Sequence, residues 1–249
     1  MNAPAFVTPF VLIANAIIIL AVLGGLSFAL ARAGWPASRR RSVVLGAAAV
    51  LFGWFAAALT FSYEGTFRGS ADQWPTIPFG ILIPIAIGLL LLWRSRTVAR
   101  ILDAVPQGWI VGVQLYRALG VIFILLLSTG HLPPQFALPA GWGDIAVGLL
   151  APVVALAYAR GAAGAAGAVW AWNILGLLDL AVAVGTGFLT SPSPFQVLSL
   201  EAPNELISAF PLVMAPVFAV PLSVLLHVAS LKKLARSHEP RGHASVLAA

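Results

Sequence analysis

Seven runs of roughly twenty apolar residues, separated by short segments that hold nearly all the charge, constrain this chain more than any other feature. A helix of that length matches the ~30 Å hydrocarbon thickness of a bilayer. The runs are read at Phe10–Ala31, Val43–Phe61, Ile77–Trp93, Trp109–Thr129, Gly143–Tyr158, Gly167–Gly187 and Leu206–Val228. Only 9% of the residues are charged, against about 25% in a soluble domain. So few charges cannot cover a water-facing surface. The expectation is all-α: a polytopic transmembrane helix bundle of about seven spans. It forms a single integral membrane domain over residues 1–249, set in a cell membrane with the lipid bilayer as its main partner.

The basic residues report orientation. Of the 14 Lys and Arg residues, all except Arg68 and Arg117 fall on one side if the N-terminus is outside. The positive-inside rule then places that terminus outside and the C-terminus inside. Residues 232–249 become a basic cytoplasmic tail holding Lys232, Lys233, Arg236 and Arg241. Trp35, Trp93 and Trp109 fall at the expected inner boundary, and Trp74 and Trp142 at the outer one. No Lys or Arg precedes the first run, so a cleaved leader is not expected. The formal net charge of +6 is thus a topology signal, and no nucleic-acid partner is expected.

Several chemistries lack their residues. The chain has no Cys, which excludes disulfides, thiolate metal sites and iron–sulfur ligation. It has no His-Glu-x-x-His, no Gly-x-Ser-x-Gly and no Walker A sequence, so no catalytic residue is assigned. No metal set is expected either.

Ionisable residues inside a span are costly and are functional candidates by default. Arg117 lies about 12 Å past Trp109 along the fourth span, and Asp179 about 18 Å past Gly167 along the sixth. Their depths allow them to pair. Gln114 shares a face with Arg117, and Asn173 lies in the sixth span with Asp179. Gln114, Arg117, Asn173 and Asp179 are therefore the candidate substrate-binding or coupling set, lining one polar cavity. The alternative is that they only fix helix packing.

His227, at the inner end of the seventh span, is a candidate haem ligand or proton-transfer group, against a plain anchoring role at the interface. The segment from His131 to Trp142 reads as a Pro-rich loop. Asp144 follows it as a helix-capping carboxylate. His131 and Asp144, with Glu64 and Glu205, are the candidates for an outer polar site. Pro211, Pro216 and Pro221 recur every five residues in the seventh span and suggest a broken or kinked helix.

Spans one and five end alike, in Ala29-Leu-Ala-Arg32 and Ala157-Tyr-Ala-Arg160. Spans three and seven share Pro-rich openings, Ile77 to Pro84 and Phe210 to Pro216. A 3+1+3 repeat with span four as linker satisfies this pattern, and such repeats build many transporters. In topology the chain resembles the small seven-helix sugar facilitators; the pairs Pro106-Gln107 and Pro134-Gln135 fall outside the hydrophobic runs, so the resemblance is of topology only. The outline also resembles microbial rhodopsins, but Lys232 and Lys233 come after the last span, where no retinal-bearing lysine could act. Three readings follow: a transporter or permeation protein for a small or proton-coupled solute, a membrane-embedded haem, redox or lipid-modifying enzyme, and a sensor or scaffold subunit. Each is compatible with a homo-oligomer.

Overall fold

The computed structural model describes residues 3–238 and is all-helical among them. Seven helical stretches are long and apolar enough to cross a membrane. The first three are α1 (Val7–Arg32), α2 (Ala37–Tyr63) and α3 (Ile77–Arg94). A short helix, α4 (Arg96–Ala104), follows. The fourth span is composite: α5 (Gln107–Gly112), a 3-10 stretch (Val113–Gly120) and α6 (Val121–Ser128). Then come α7 (Pro134–Ala159) and α8 (Ala165–Thr190). The last span is a π stretch (Ala215–Ala219) continued by α9 (Val220–His238).

Local chemistry sets the ends. Gly34 follows α1 at φ +73°, and the Trp35 amide returns to the Leu30 carbonyl, a closure that only glycine makes without strain. Ser95 separates α3 from α4 and caps α4 by accepting the Val98 amide at 3.3 Å. Consecutive spans alternate in direction. One end of the bundle therefore gathers the clusters around Arg32, Arg39 to Arg41, Arg94 to Arg100, Arg160 and Lys232 to Arg236; the other carries Glu64, Asp72, Glu201 and Glu205. These are called the basic and acidic ends below.

Three expectations change. The fifth span begins at Pro134, not Gly143, so residues 134–142 are helix. Pro134 occupies the first turn, where a missing N–H costs nothing. Pro139 frees only the carbonyl of Gln135, an exposed residue near the helix start. The last span is not continuous over Leu206–Val228: a 3-10 turn at Leu206–Ser208 and irregular backbone precede the π stretch. Pro216 cannot donate to Leu212, whose carbonyl instead accepts the Ala215 amide at 2.9 Å. The related Ile77 to Pro84 segment is regular helix, so the two Pro-rich segments adopt different structures.

The third change concerns the tail. Residues 232–238 continue α9 as helix. Lys233 donates to the Leu102 carbonyl at 2.8 Å, Arg236 pairs with Asp103 at 3.3 Å, and Lys232 lies 4.8 Å from the Trp93 ring centre. These contacts pin α9 to α3 and α4. The rest of the expected tail, with Arg241 and His243, lies outside the described residues.

The fourth span is no peripheral linker. It packs against α7 along most of its length and also touches α1 and α9. By contrast, α2 and α3 are mostly exposed and present apolar flanks such as Leu45, Phe52, Ile83 and Ile87, as lipid-facing helices do.

Candidate functional site at the centre of the bundle

The 3-10 stretch Val113–Gly120 lies in the middle of the fourth span, and 3-10 turns inside a helix mark strain or function. It carries Tyr116 and Arg117. Arg117 is 3% exposed and is engaged from every side. Nε donates to Asp144 Oδ1 at 2.8 Å. Nη2 pairs with that same oxygen at 2.7 Å and with Asp179 Oδ2. Nη1 donates to the Gly176 carbonyl at 3.2 Å and to His227 Nε2 at 3.1 Å. A guanidinium has five N–H donors; four hydrogen bonds leave this one, and Nη2 adds the close ion-pair contact with Asp144.

The network continues toward the basic end. Asn173 donates from Nδ2 to the Val169 carbonyl at 2.7 Å and to Ser230 Oγ at 2.8 Å. Its Oδ1 therefore faces His227 Nδ1, 2.9 Å away, as acceptor. This assigns the proton to Nδ1 and leaves Nε2 to accept from Arg117. Ser230 Oγ also accepts from Gln107 Nε2 at 2.6 Å. A continuous chain thus runs Asp144–Arg117–His227–Asn173–Ser230–Gln107, and Gln107 Oε1, at the basic end of the fourth span, has no partner. Trp172 seals the flank, its indole N–H on the Val147 carbonyl at 3.0 Å and its ring centre 4.8 Å from that of His227.

Glycines make this density possible. A Cβ on Gly176 would lie 2.3 Å from His227 Cε1 and Nε2 and 3.1 Å from Arg117 Nη1. One on Gly143 would lie 1.5 Å from Asp179 Oδ1. Gly148 brings α7 against the backbone of the 3-10 stretch, where a Cβ would meet the Ala118 amide at 2.3 Å. A side chain at any of these positions would displace a charged group or the backbone that carries one.

Toward the acidic end lies a cavity of about 370 Å³. Its walls are apolar, built by α1, α3, α8, the fourth span and the π stretch, and include Ile18, Ile81, Phe123 and Pro216. It reaches from Pro75 and Ser193, among the acidic-end loops, to Arg117, Asp144, Tyr116 and Ser223. Leu82 on α3 lines it while remaining 59% exposed. Ser223 donates to the Ala219 carbonyl at 3.0 Å, so Tyr116 is the donor in its 2.7 Å bond to Ser223.

Arg117 and Asp179 form an ion pair, as their depths allow. The expected cavity does not follow from the other members of that set. Arg117 is the member that lines the cavity; Asn173 and Asp179 lie behind it in the packed network. Gln114 is fully buried, yet both of its side-chain polar atoms lack partners, so it stands outside the network. Asp144 is no helix cap. It is the eleventh residue of α7, brought inward because that helix starts nine residues earlier than the hydropathy suggests. His131 sits in the turn after α6, bonded to Thr129 at 2.9 Å, whereas Asp144 lies ten residues, about 15 Å, into α7. No outer site of His131 and Asp144 forms.

His227 is not interfacial. It is fully buried with both ring nitrogens engaged and Trp172 against its ring, which leaves no coordinating nitrogen or open face for a haem. Sequence reasoning also missed Gln107, Tyr116, Ser223 and Ser230, whose polarity is ordinary in membrane helices and becomes informative only through their partners.

A bundle of seven long apolar helices around a buried ionic core is an integral, multi-pass membrane protein. The chain belongs to a family described as a domain of unknown function (DUF8737), whose model matches residues 74–235. That range holds the whole network from Gln107 to Ser230, while α1 and α2 lie outside it. No curated protein and no solved structure matches the chain.

Proposed function

We propose that this protein is a transporter or permeation protein for a small solute, which enters the central cavity and is read at the Arg117 cluster. The observation that carries the proposal is the cavity itself: it runs from one end of the bundle to mid-depth and stops on buried charge. Transporter sites lie near the midplane, beside discontinuous helices. Here the broken last span and the 3-10 stretch both border the cavity.

Beyond the cluster the way is closed by packed groups, not by bulk. His227, Asn173, Ser230 and Gln107 fill the half toward the basic end with hydrogen bonds. The arrangement corresponds to one half of an alternating-access cycle, open at the acidic end. In the orientation expected from the basic residues, that end is outside. One cation, Arg117, faces two carboxylates, Asp144 and Asp179. A proton or cationic group arriving there brings the cluster to neutrality, which supports coupling of solute movement to charge.

The test is flux in proteoliposomes, using labelled amines, alcohols, sugars and carboxylates together with an internal pH dye. The expected result is solute or proton movement above empty liposomes, abolished by Asp179→Asn in protein that still inserts. Absence of flux for every class, or normal flux in Asp179→Asn, overturns the proposal.

A further inference from the structure

We infer that the cavity is a binding site for a lipophilic ammonium ion: a protonated amine carried on an apolar body. This names the solute class for the transport reading and rests on it for how the ligand would move; the binding itself is read separately.

The argument starts from which polar atoms along the cavity have capacity left. Arg117, the cation on its floor, already makes four hydrogen bonds and two ion pairs. A carboxylate or phosphate entering would meet a guanidinium already paired with two carboxylates, and would be repelled by both. Asp144 behaves differently. The hydrogen bond from Arg117 Nε and the ion-pair contact from Nη2 both end on Oδ1. Oδ2 has no hydrogen-bond partner among the described residues, and the Asp144 side chain lines the cavity at 19% exposure.

A second, independent atom points the same way. Asn15, on α1, lines the cavity and is 4% exposed. Its Nδ2 donates to the Val11 carbonyl at 2.8 Å, which fixes the amide orientation, because a flipped amide would set oxygen against oxygen. Its Oδ1 is then a buried acceptor with no partner. A buried unsatisfied acceptor costs free energy that a donor ligand restores. Asn15 lies eight residues into α1 and Asp144 ten into α7, so both sit about 12–15 Å from the acidic end.

The orphan atoms are thus acceptors at matching depth beside a cluster short of one positive charge. An ammonium group supplies up to three N–H donors and that charge. The walls decide the rest of the ligand. They offer too few oxygens for a metal ion, which needs several. They are apolar and include the rings of Phe123 and Phe136, which suit a hydrocarbon body and tolerate a nearby cation. The volume, about 370 Å³, is at the small end of ligand sites.

The experiment is equilibrium binding to the full chain in nanodiscs of zwitterionic lipid, with empty discs subtracted. The probes are n-octylammonium, octanoate and octan-1-ol, which share one tail. The expected result is octylammonium binding at least about tenfold tighter than either other probe, the scale of a hydrogen bond to a charged group. Asp144→Asn should bring octylammonium down to the level of octan-1-ol. Asn15→Leu leaves the ionic cluster whole and guards against a folding defect in the first variant; it should weaken octylammonium several-fold and more than it weakens octan-1-ol. Equal or tighter octanoate binding, or an unchanged preference in Asn15→Leu, overturns the inference. Binding with this preference but no flux sinks the transport reading alone, whereas flux of solutes without cation preference sinks this inference alone.

Discussion

Gly176→Ala tests the packing of the network with one carbon atom. The added Cβ would sit 2.3 Å from two atoms of the His227 ring and 3.1 Å from Arg117 Nη1. Neither neighbour is a flexible chain end. The ring is held at Nδ1 by Asn173, at Nε2 by Arg117 and on its face by Trp172. Overpacking of this kind costs about 1–3 kcal/mol. Moving the ring to relieve it lengthens one or both of its hydrogen bonds, at about 1–3 kcal/mol for a buried bond involving a charged group. Against this stands a helix-propensity gain of up to about 1 kcal/mol. The net expectation is a loss of about 2–4 kcal/mol. Gly185→Ala on the same helix is the control, because a Cβ there meets nothing within 4 Å; its change should stay within about 1 kcal/mol. Reversible unfolding in mixed micelles, followed by tryptophan fluorescence, measures both. Equal stability of the two variants would refute the close packing of α8 on His227 and with it the closed half of the pathway.

Other variants probe the remaining parts. Arg117→Leu leaves Asp144 and Asp179 facing each other without their cation, and should cost about 3–5 kcal/mol or prevent folding; wild-type-like stability in the same unfolding assay would contradict the central role of the guanidinium. Arg117→Lys keeps the charge but offers three donors in place of five, so flux should fall while part of the stability returns. Gln114→Leu should be neutral or stabilising by up to about 2 kcal/mol, since both amide atoms are buried without partners; a clear loss would mean that the amide is satisfied in the membrane. Gln107→Leu and Ser230→Ala should show a coupling of about 0.5–2 kcal/mol in a double-mutant cycle, because their 2.6 Å bond ends the relay; additivity would exclude it.

Hydropathy is a local property, and so the seven spans follow from runs of twenty residues read one at a time. The cost of a charge in lipid marks Arg117 and Asp179, because no apolar segment carries such residues without a partner. Span ends proved less legible where proline and glycine intervene. Pro134 and Pro139 look like loop residues, yet a first-turn proline is harmless, and the later one frees a carbonyl only near the helix start. That single misplacement of nine residues hides Asp144, which reads as a cap and is a full partner of Arg117.

Pairing is settled in three dimensions. Which oxygen of Asp144 is spent, which nitrogen of His227 accepts, and whether Arg117 keeps a donor free depend on how four helices meet, and no spacing along one chain encodes that. The glycines at 143, 148 and 176 look like generic small membrane residues until a guanidinium, an imidazole or a backbone is found pressed against them. Sequence fixes where charge must be buried, because burial energy is a sum over local composition. The fold fixes what the charge can still bind, because hydrogen-bond capacity is a count of partners in space.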